Sequence, residues 1–174
     1  MEGIHMITLI LGGNKSGKSG FALNLLEKQE KPGLFIATGK AKDLEFRRQI
    51  NDHRISRTPE LEVMEVSLDL PQALRQAKAD FSCVLVDSLD YWLFAAREQG
   101  SEQDLVRDFV NELKEWEGGD LILVSCEAGL GPLPMSGEVR SFIRALGALN
   151  QSCAQLAHQV FMVAAGLPLT LKKV

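Results

Sequence analysis

Cysteine is scarce in this chain of 174 residues, and its three examples, Cys83, Cys126 and Cys153, never form a C-x-x-C pair. An odd number at wide spacing excludes a disulfide framework and gives no zinc-ligand pattern, so the three read as buried or half-buried thiols of a reducing cytoplasm. Positive charge is also short: 19 Lys and Arg against 23 Asp and Glu leave a net charge of −4. That balance argues against broad nucleic-acid binding, which needs a basic face to neutralise phosphates, and points to a small-molecule partner. Long apolar runs are missing near the start, where Met6-Ile7-Thr8-Leu9-Ile10-Leu11 meets glycine after six residues and Met1-Glu2-Gly3-Ile4-His5 carries no basic segment. Neither a signal peptide nor a membrane span is expected, and Met6 is an alternative start that would make residues 1–5 a dispensable tail. Repeats, low-complexity tracts and heptad runs are absent too. What remains, 45% hydrophobic and 24% charged residues, fits one globular domain over residues 1–174 that can bury a sizeable core.

Short apolar runs alternate with longer amphipathic stretches along the whole chain, the signature of βαβ units and an α/β fold with a mainly parallel sheet. Strands are expected at Ile7–Leu11, Leu34–Ala37, Leu61–Val66, Cys83–Val86, Leu121–Ser125, Val160–Ala164 and Leu167–Leu171. Helices are expected at Lys18–Lys28, Asp43–Arg54, Leu70–Ala79, Leu89–Glu98, Gln103–Trp116 and Glu138–Ala157. Ala165-Gly166-Leu167-Pro168 reads as a tight connection, so an antiparallel hairpin closes one edge of the sheet.

The most specific motif is Gly12, Gly13, Asn14, Lys15, Ser16, Gly17, Lys18 and Ser19, a complete G-x-x-x-x-G-K-S phosphate loop between the first strand and a helix. Its backbone N–H groups wrap phosphate oxygens, Lys18 reaches the β- and γ-phosphates, and Ser19 ligates Mg²⁺. Cys83-Val84-Leu85-Val86-Asp87 has the form of the strand-terminal carboxylate such a loop requires for Mg²⁺, although an Asp there also serves as a helix N-cap. Asp90 belongs to the first helical turn, where negative charge is favoured. The charged stretch from Asp43 to Arg57 reads alone as a solvated helix face, yet it follows the second strand, and its arginines could bind phosphates bidentately. Within it His53 is either a surface residue or a nucleophile toward phosphorus. His158, near a helix end, suits the helix dipole as a cation. Glu127 faces the site or caps a turn, and Asn150-Gln151 contacts a substrate amide or an interface. The glycine- and proline-rich segment Gly129 to Pro134 is a ligand loop or a plain connection.

Together these motifs resemble one family, the bifunctional adenosylcobinamide kinase/adenosylcobinamide-phosphate guanylyltransferases of cobalamin biosynthesis. The resemblance runs from Ile7 to Lys172 and rests on the phosphate loop, Ile36-Ala37-Thr38, Ile50-Asn51-Asp52-His53-Arg54 with Arg57, Val86-Asp87-Ser88-Leu89 with Trp92-Leu93, Val124-Ser125 with Glu127, Gly129 and Gly131, Asn150-Gln151, and Ala165-Gly166-Leu167-Pro168-Leu169-Thr170-Leu171-Lys172. It implies a RecA-like P-loop fold and a two-step activity. Adenosylcobinamide is phosphorylated with GTP or ATP, and GMP then passes from GTP to the adenosylcobinamide phosphate through a covalent GMP-histidine. His53 matches that histidine. The same match implies that residues 12–19, Ala37, Thr38, Gly39, Arg54, Ile55, Ser56, Arg57, Glu65 and Asp87 line the GTP site, with Ser19 and Asp87 on Mg²⁺. It also implies a homotrimer with active sites near subunit interfaces. The chain departs from the family pattern at Leu61, Asp90, Cys126, Met135-Ser136-Gly137 and Ile143-Arg144, while Arg140 and Phe142 are retained. A divergent P-loop small-molecule kinase or nucleotidyltransferase, or a non-catalytic GTP-binding paralogue, is the alternative reading.

Overall fold

Strands made of consecutive apolar residues must be covered on both faces, and five of the seven runs expected as strands are of this kind or nearly so. A computed structural model of the chain describes residues 5–28, 33–38 and 61–174. Among these, seven strands form one sheet: β1 (Ile7–Gly12), β2 (Gly33–Ala37), β3 (Leu61–Glu65), β4 (Cys83–Asp87), β5 (Asp120–Cys126), β6 (Gln159–Ala164) and β7 (Leu167–Lys173). Their spatial order is β3-β2-β4-β5-β1-β6-β7. All neighbours run parallel except β6 and β7, which form the expected antiparallel hairpin.

The described helices are α1 (Lys18–Leu26), α2 (Leu70–Ala77), α3 (Leu89–Glu98), α4 (Glu102–Lys114) and α5 (Gly137–Leu156). Side chains alternate across each strand and so build two cores. Ile7, Leu9, Leu11, Leu34, Ile36, Val84, Val86, Leu121 and Leu123 point to the face covered by α2, α3, α4 and α5, where Trp92 and Phe109 fill the space between helices. Ile10, Phe35, Cys83, Leu85, Ile122 and Val124 point the other way, against Ala22, Leu23 and Leu26 of α1.

Helix ends follow local chemistry. Pro71 sits in the first turn of α2, where its missing N–H costs nothing. The Ser136 hydroxyl accepts from the Val139 N–H and starts α5 one residue ahead of the expected Glu138. The expected helix Asp43–Arg54 lies outside the described residues. No described helix is long and apolar enough to cross a membrane.

Candidate active site

The strands β1, β4 and β5 end side by side, and their C-terminal residues meet the start of α1. β1 enters the phosphate loop at Gly12, which is buried beside Cys126 of β5 on one side and Val163 of β6 on the other. A side chain on Gly12 would collide with the Ser16 side chain and come within 2.7 Å of the Val163 carbonyl, so only glycine lets the backbone turn there. The loop reverses through Lys15 at φ 57° and Gly17 at φ 94°, and the Ser16 N–H donates to the Gly13 carbonyl at 3.3 Å. α1 begins at the next residue, so its unsatisfied N–H groups and positive dipole end point into the loop. Lys18 Nζ donates to the Gly13 carbonyl at 3.1 Å, folding the cation over the loop.

Asp87 is the last residue of β4 and is only 8% exposed. Burial pushes its carboxyl up to about 6, against a hydrogen bond from the Ser19 hydroxyl and the nearby Lys18 ammonium, while Asp90 adds to the rise. Its Oδ2 has no hydrogen-bond partner among the described residues. A buried carboxylate oxygen left unpaired is costly, and an oxygen-lined position beside the Ser19 hydroxyl is the donor set Mg²⁺ takes. Asp87 and Ser19 therefore fit that ion. The N-cap of α3 is Ser88, and it makes no side-chain cap bond, so capping does not account for Asp87.

Other residues singled out in the sequence sort differently. The Thr38 hydroxyl donates to the Ser88 carbonyl at 2.6 Å and accepts from the Ser88 N–H at 2.8 Å, a buried tie between the ends of β2 and β4. Ala37 pairs with Asp87 across the same two strands. Glu65 ends β3, the sheet edge four strand spacings from β1, or roughly 19 Å along the sheet. Asp90 lies in the first turn of α3 as expected, and its Oδ1 also accepts from the Cys126 N–H at 3.1 Å. Glu127 caps a turn, its Oε1 accepting from the Gly129 N–H at 3.0 Å, while its own N–H donates to the Gly12 carbonyl. Asn150 is buried and donates to the Cys126 carbonyl at 3.0 Å, pinning α5 to the end of β5. His158 differs from its reading as a helix-end cation. α5 stops at Leu156, and His158 Nδ1 accepts from the Ile7 N–H at 3.0 Å, a role that needs a free lone pair on that nitrogen. Gly39, His53, Arg54, Ile55, Ser56 and Arg57 lie outside the described residues.

Sequence reasoning missed one neighbour of the loop altogether. The Gly166 N–H, in the β6–β7 turn, donates to the Ser16 carbonyl at 2.8 Å. The turn was legible in Ala165-Gly166, but nothing local says what it touches.

Comparison with known proteins narrows what such a site serves. A solved KaiC-like protein from the hyperthermophilic archaeon Pyrococcus horikoshii OT3 superimposes with a TM-score of 0.55 at 19% identity, over 90% of this chain and 70% of the other. That likeness establishes the P-loop NTPase fold. Two curated relatives are each named a bifunctional adenosylcobalamin biosynthesis protein. The one from Pseudomonas aeruginosa is 35% identical over 96% of this chain and 98% of its own length. The one from Escherichia coli is 26% identical over 96% of this chain and 100% of its own. Residues 8–171 match the family described as cobinamide kinase / cobinamide phosphate guanyltransferase. A phosphate loop facing a buried carboxylate, carried on a chain alike to these relatives over nearly its whole length, makes this protein a transferase and a member of the cobinamide kinase / cobinamide phosphate guanyltransferase family.

Proposed function

We propose that the protein phosphorylates adenosylcobinamide and then transfers GMP from GTP to the resulting phosphate, giving adenosylcobinamide-GDP. The observation that carries this reading is the phosphate loop beside Asp87, in a chain whose relatives span it almost completely. In the phosphoryl step, the loop amides and Lys18 hold the triphosphate of GTP or ATP so that the acceptor hydroxyl can attack the γ-phosphorus. Ser19 and Asp87 would hold Mg²⁺, which supplies charge neutralisation between neighbouring phosphates.

In the guanylyl step, an imidazole nitrogen of His53 attacks the α-phosphorus of GTP. The bond from that phosphorus to the bridging oxygen breaks, pyrophosphate leaves, and GMP remains on His53 as a phosphoramidate. A phosphate oxygen of the corrinoid then attacks the same phosphorus and returns the electron pair to the histidine. Lys18 stabilises the negative charge that develops on the leaving pyrophosphate. Gly39, Arg54, Ile55, Ser56, Arg57 and Glu65 complete the nucleotide site in this reading, with Ala37 and Thr38 beside it.

The protein acts in the cytoplasm as a homotrimer. Its three free thiols suit a reducing compartment. The edge strand β7 leaves Leu167, Leu169 and Leu171 exposed, which suits burial between subunits.

Incubation with α-labelled GTP tests the covalent step. Wild type is expected to retain acid-labile label and His53→Ala to retain none. An unlabelled wild type, or a variant that labels equally, overturns the mechanism. Label that never moves to adenosylcobinamide phosphate would point to another acceptor.

A further inference from the structure

The C-terminal hairpin touches the phosphate loop at both of the loop's ends. At the first end, Gly12 pairs with Val163 of β6, and the absent Cβ of Gly12 leaves room for the Val163 carbonyl. At the second, the Gly166 N–H donates to the Ser16 carbonyl, and a Cβ on Gly17 would lie 3.0 Å from Gly166 Cα. A third contact sets the helix behind the loop, where the ring of Phe21 in α1 meets that of Phe161 in β6 edge to face at 5.3 Å.

A trans peptide points its C=O and N–H in opposite directions. Fixing the Ser16 carbonyl on the hairpin therefore aims the N–H of the same peptide, that of Gly17, away from the hairpin. That N–H is one of the donors a phosphate-binding loop needs. The turn that fixes it is itself constrained: Ala165 at φ 52° and Gly166 at φ 79° both occupy the left-handed region, the pair demanded by a tight two-residue hairpin turn. Ala165 accepts this conformation at a cost that Asn or Gly would reduce.

We propose that the Ala165-Gly166 turn is a positioning element of the nucleotide site, holding the Ser16–Gly17 peptide in its phosphate-binding orientation. Gly166 acts through the loop and touches no reacting atom. The coupling is reciprocal, so nucleotide bound in the loop must also stabilise the turn. The proposal rests on nucleotide binding alone. Loss of the corrinoid or His53 chemistry would leave its calorimetric and hydrogen-exchange readouts intact.

The test inserts two residues between Ala165 and Gly166, which moves the donor off Ser16 without altering any loop residue, and measures Mg·GTP affinity by calorimetry well below the melting temperature. Dissociation constant and KM for GTP should rise about tenfold, with kcat within about twofold. A lower melting temperature with unchanged GTP affinity would mean a merely structural turn and overturn the proposal. Ala165→Asn, which keeps the turn and eases its backbone, should bind GTP as wild type does; weakening equal to that of the insertion would overturn it. Hydrogen exchange on the unaltered protein supplies a measurement independent of folding defects. GTP should slow exchange at Gly166 together with residues 12–19, and protection confined to residues 12–19 would refute the coupling. A wild type that binds no GTP overturns the nucleotide reading and this proposal with it.

Discussion

Two buried carboxylates, Asp87 at the end of β4 and Glu112 on α4, are almost equally hidden from water and are treated in opposite ways. Glu112, 5% exposed, accepts from Arg75 Nε at 3.0 Å and pairs with Lys78, while Arg75 reaches on to Asp108 at 2.9 Å. The cations come from α2 and its C-cap and the anions from α4, so the cluster bolts two helices together. Asp87 has a hydroxyl and one ammonium nearby, and its Oδ2 has no hydrogen-bond partner among the described residues, whereas Glu112 Oε1, which also lacks one there, is ion-paired with Lys78. Burial raises its carboxyl to about 6, whereas Arg75, held chiefly by its hydrogen bond to Asp108, moves in the direction that favours its charge. A carboxylate that serves the fold is neutralised by the fold. One that is buried without a full counter-charge is built to meet a cation from outside.

The largest expected effect separates the two by activity. Asp87→Asn should lower Mg²⁺-dependent turnover on the order of 100-fold, while the melting temperature without metal stays level or rises because an unpaired buried charge is gone. A fall in melting temperature alongside unchanged turnover would place Asp87 with Glu112 as a structural residue. Glu112→Gln should do the reverse. It leaves two cations facing a neutral amide and should cost about 2 kcal/mol in urea unfolding, less than for a fully buried pair because Arg75 is 41% exposed. Its steady-state constants should match wild type. The smallest effect belongs to Lys78→Met, which removes one cation but leaves Arg75 on Glu112. A loss below about 1 kcal/mol is expected, and a larger one would mean that Lys78, which also donates to the Glu115 carbonyl and lies 5.7 Å from the Trp116 ring centre, holds more than this pair.

Much of this contrast was legible in the sequence, and the illegible part has a common cause. The phosphate loop is contiguous, so its chemistry could be read from eight residues, and the strand ending in Asp87 carried its own apolar pattern. The limits of the described elements came within one or two residues because strands and helices are set by neighbours in sequence. Partnerships across the sheet were not legible. Thr38 sits two residues past Ile36 in a family motif and reads as a nucleotide contact, and nothing near it in sequence discloses that its hydroxyl also donates to and accepts from Ser88, fifty residues away. His158 reads as a helix-end cation because nothing nearby discloses the Ile7 N–H that it accepts. The insertion of β5 between β4 and β1, which places Cys126 beside Gly12 and gives Asp90 a backbone partner there, has no local signal at all. The Asp43 to Arg57 stretch, with His53, stays a sequence-level expectation.

The pairing of β1 with β6 has a consequence for how the protein is made. The loop precedes by about 140 residues one of the two strands flanking Gly12 and the turn fixed to Ser16, which come from positions 159 to 166. Contacts so distant in sequence close late in folding, and synthesis proceeds from the N-terminus. A nascent chain stalled before β6 would carry the entire phosphate-binding motif and still lack one wall of its site. The loop can take its final surroundings only once residues 159–166 have been made.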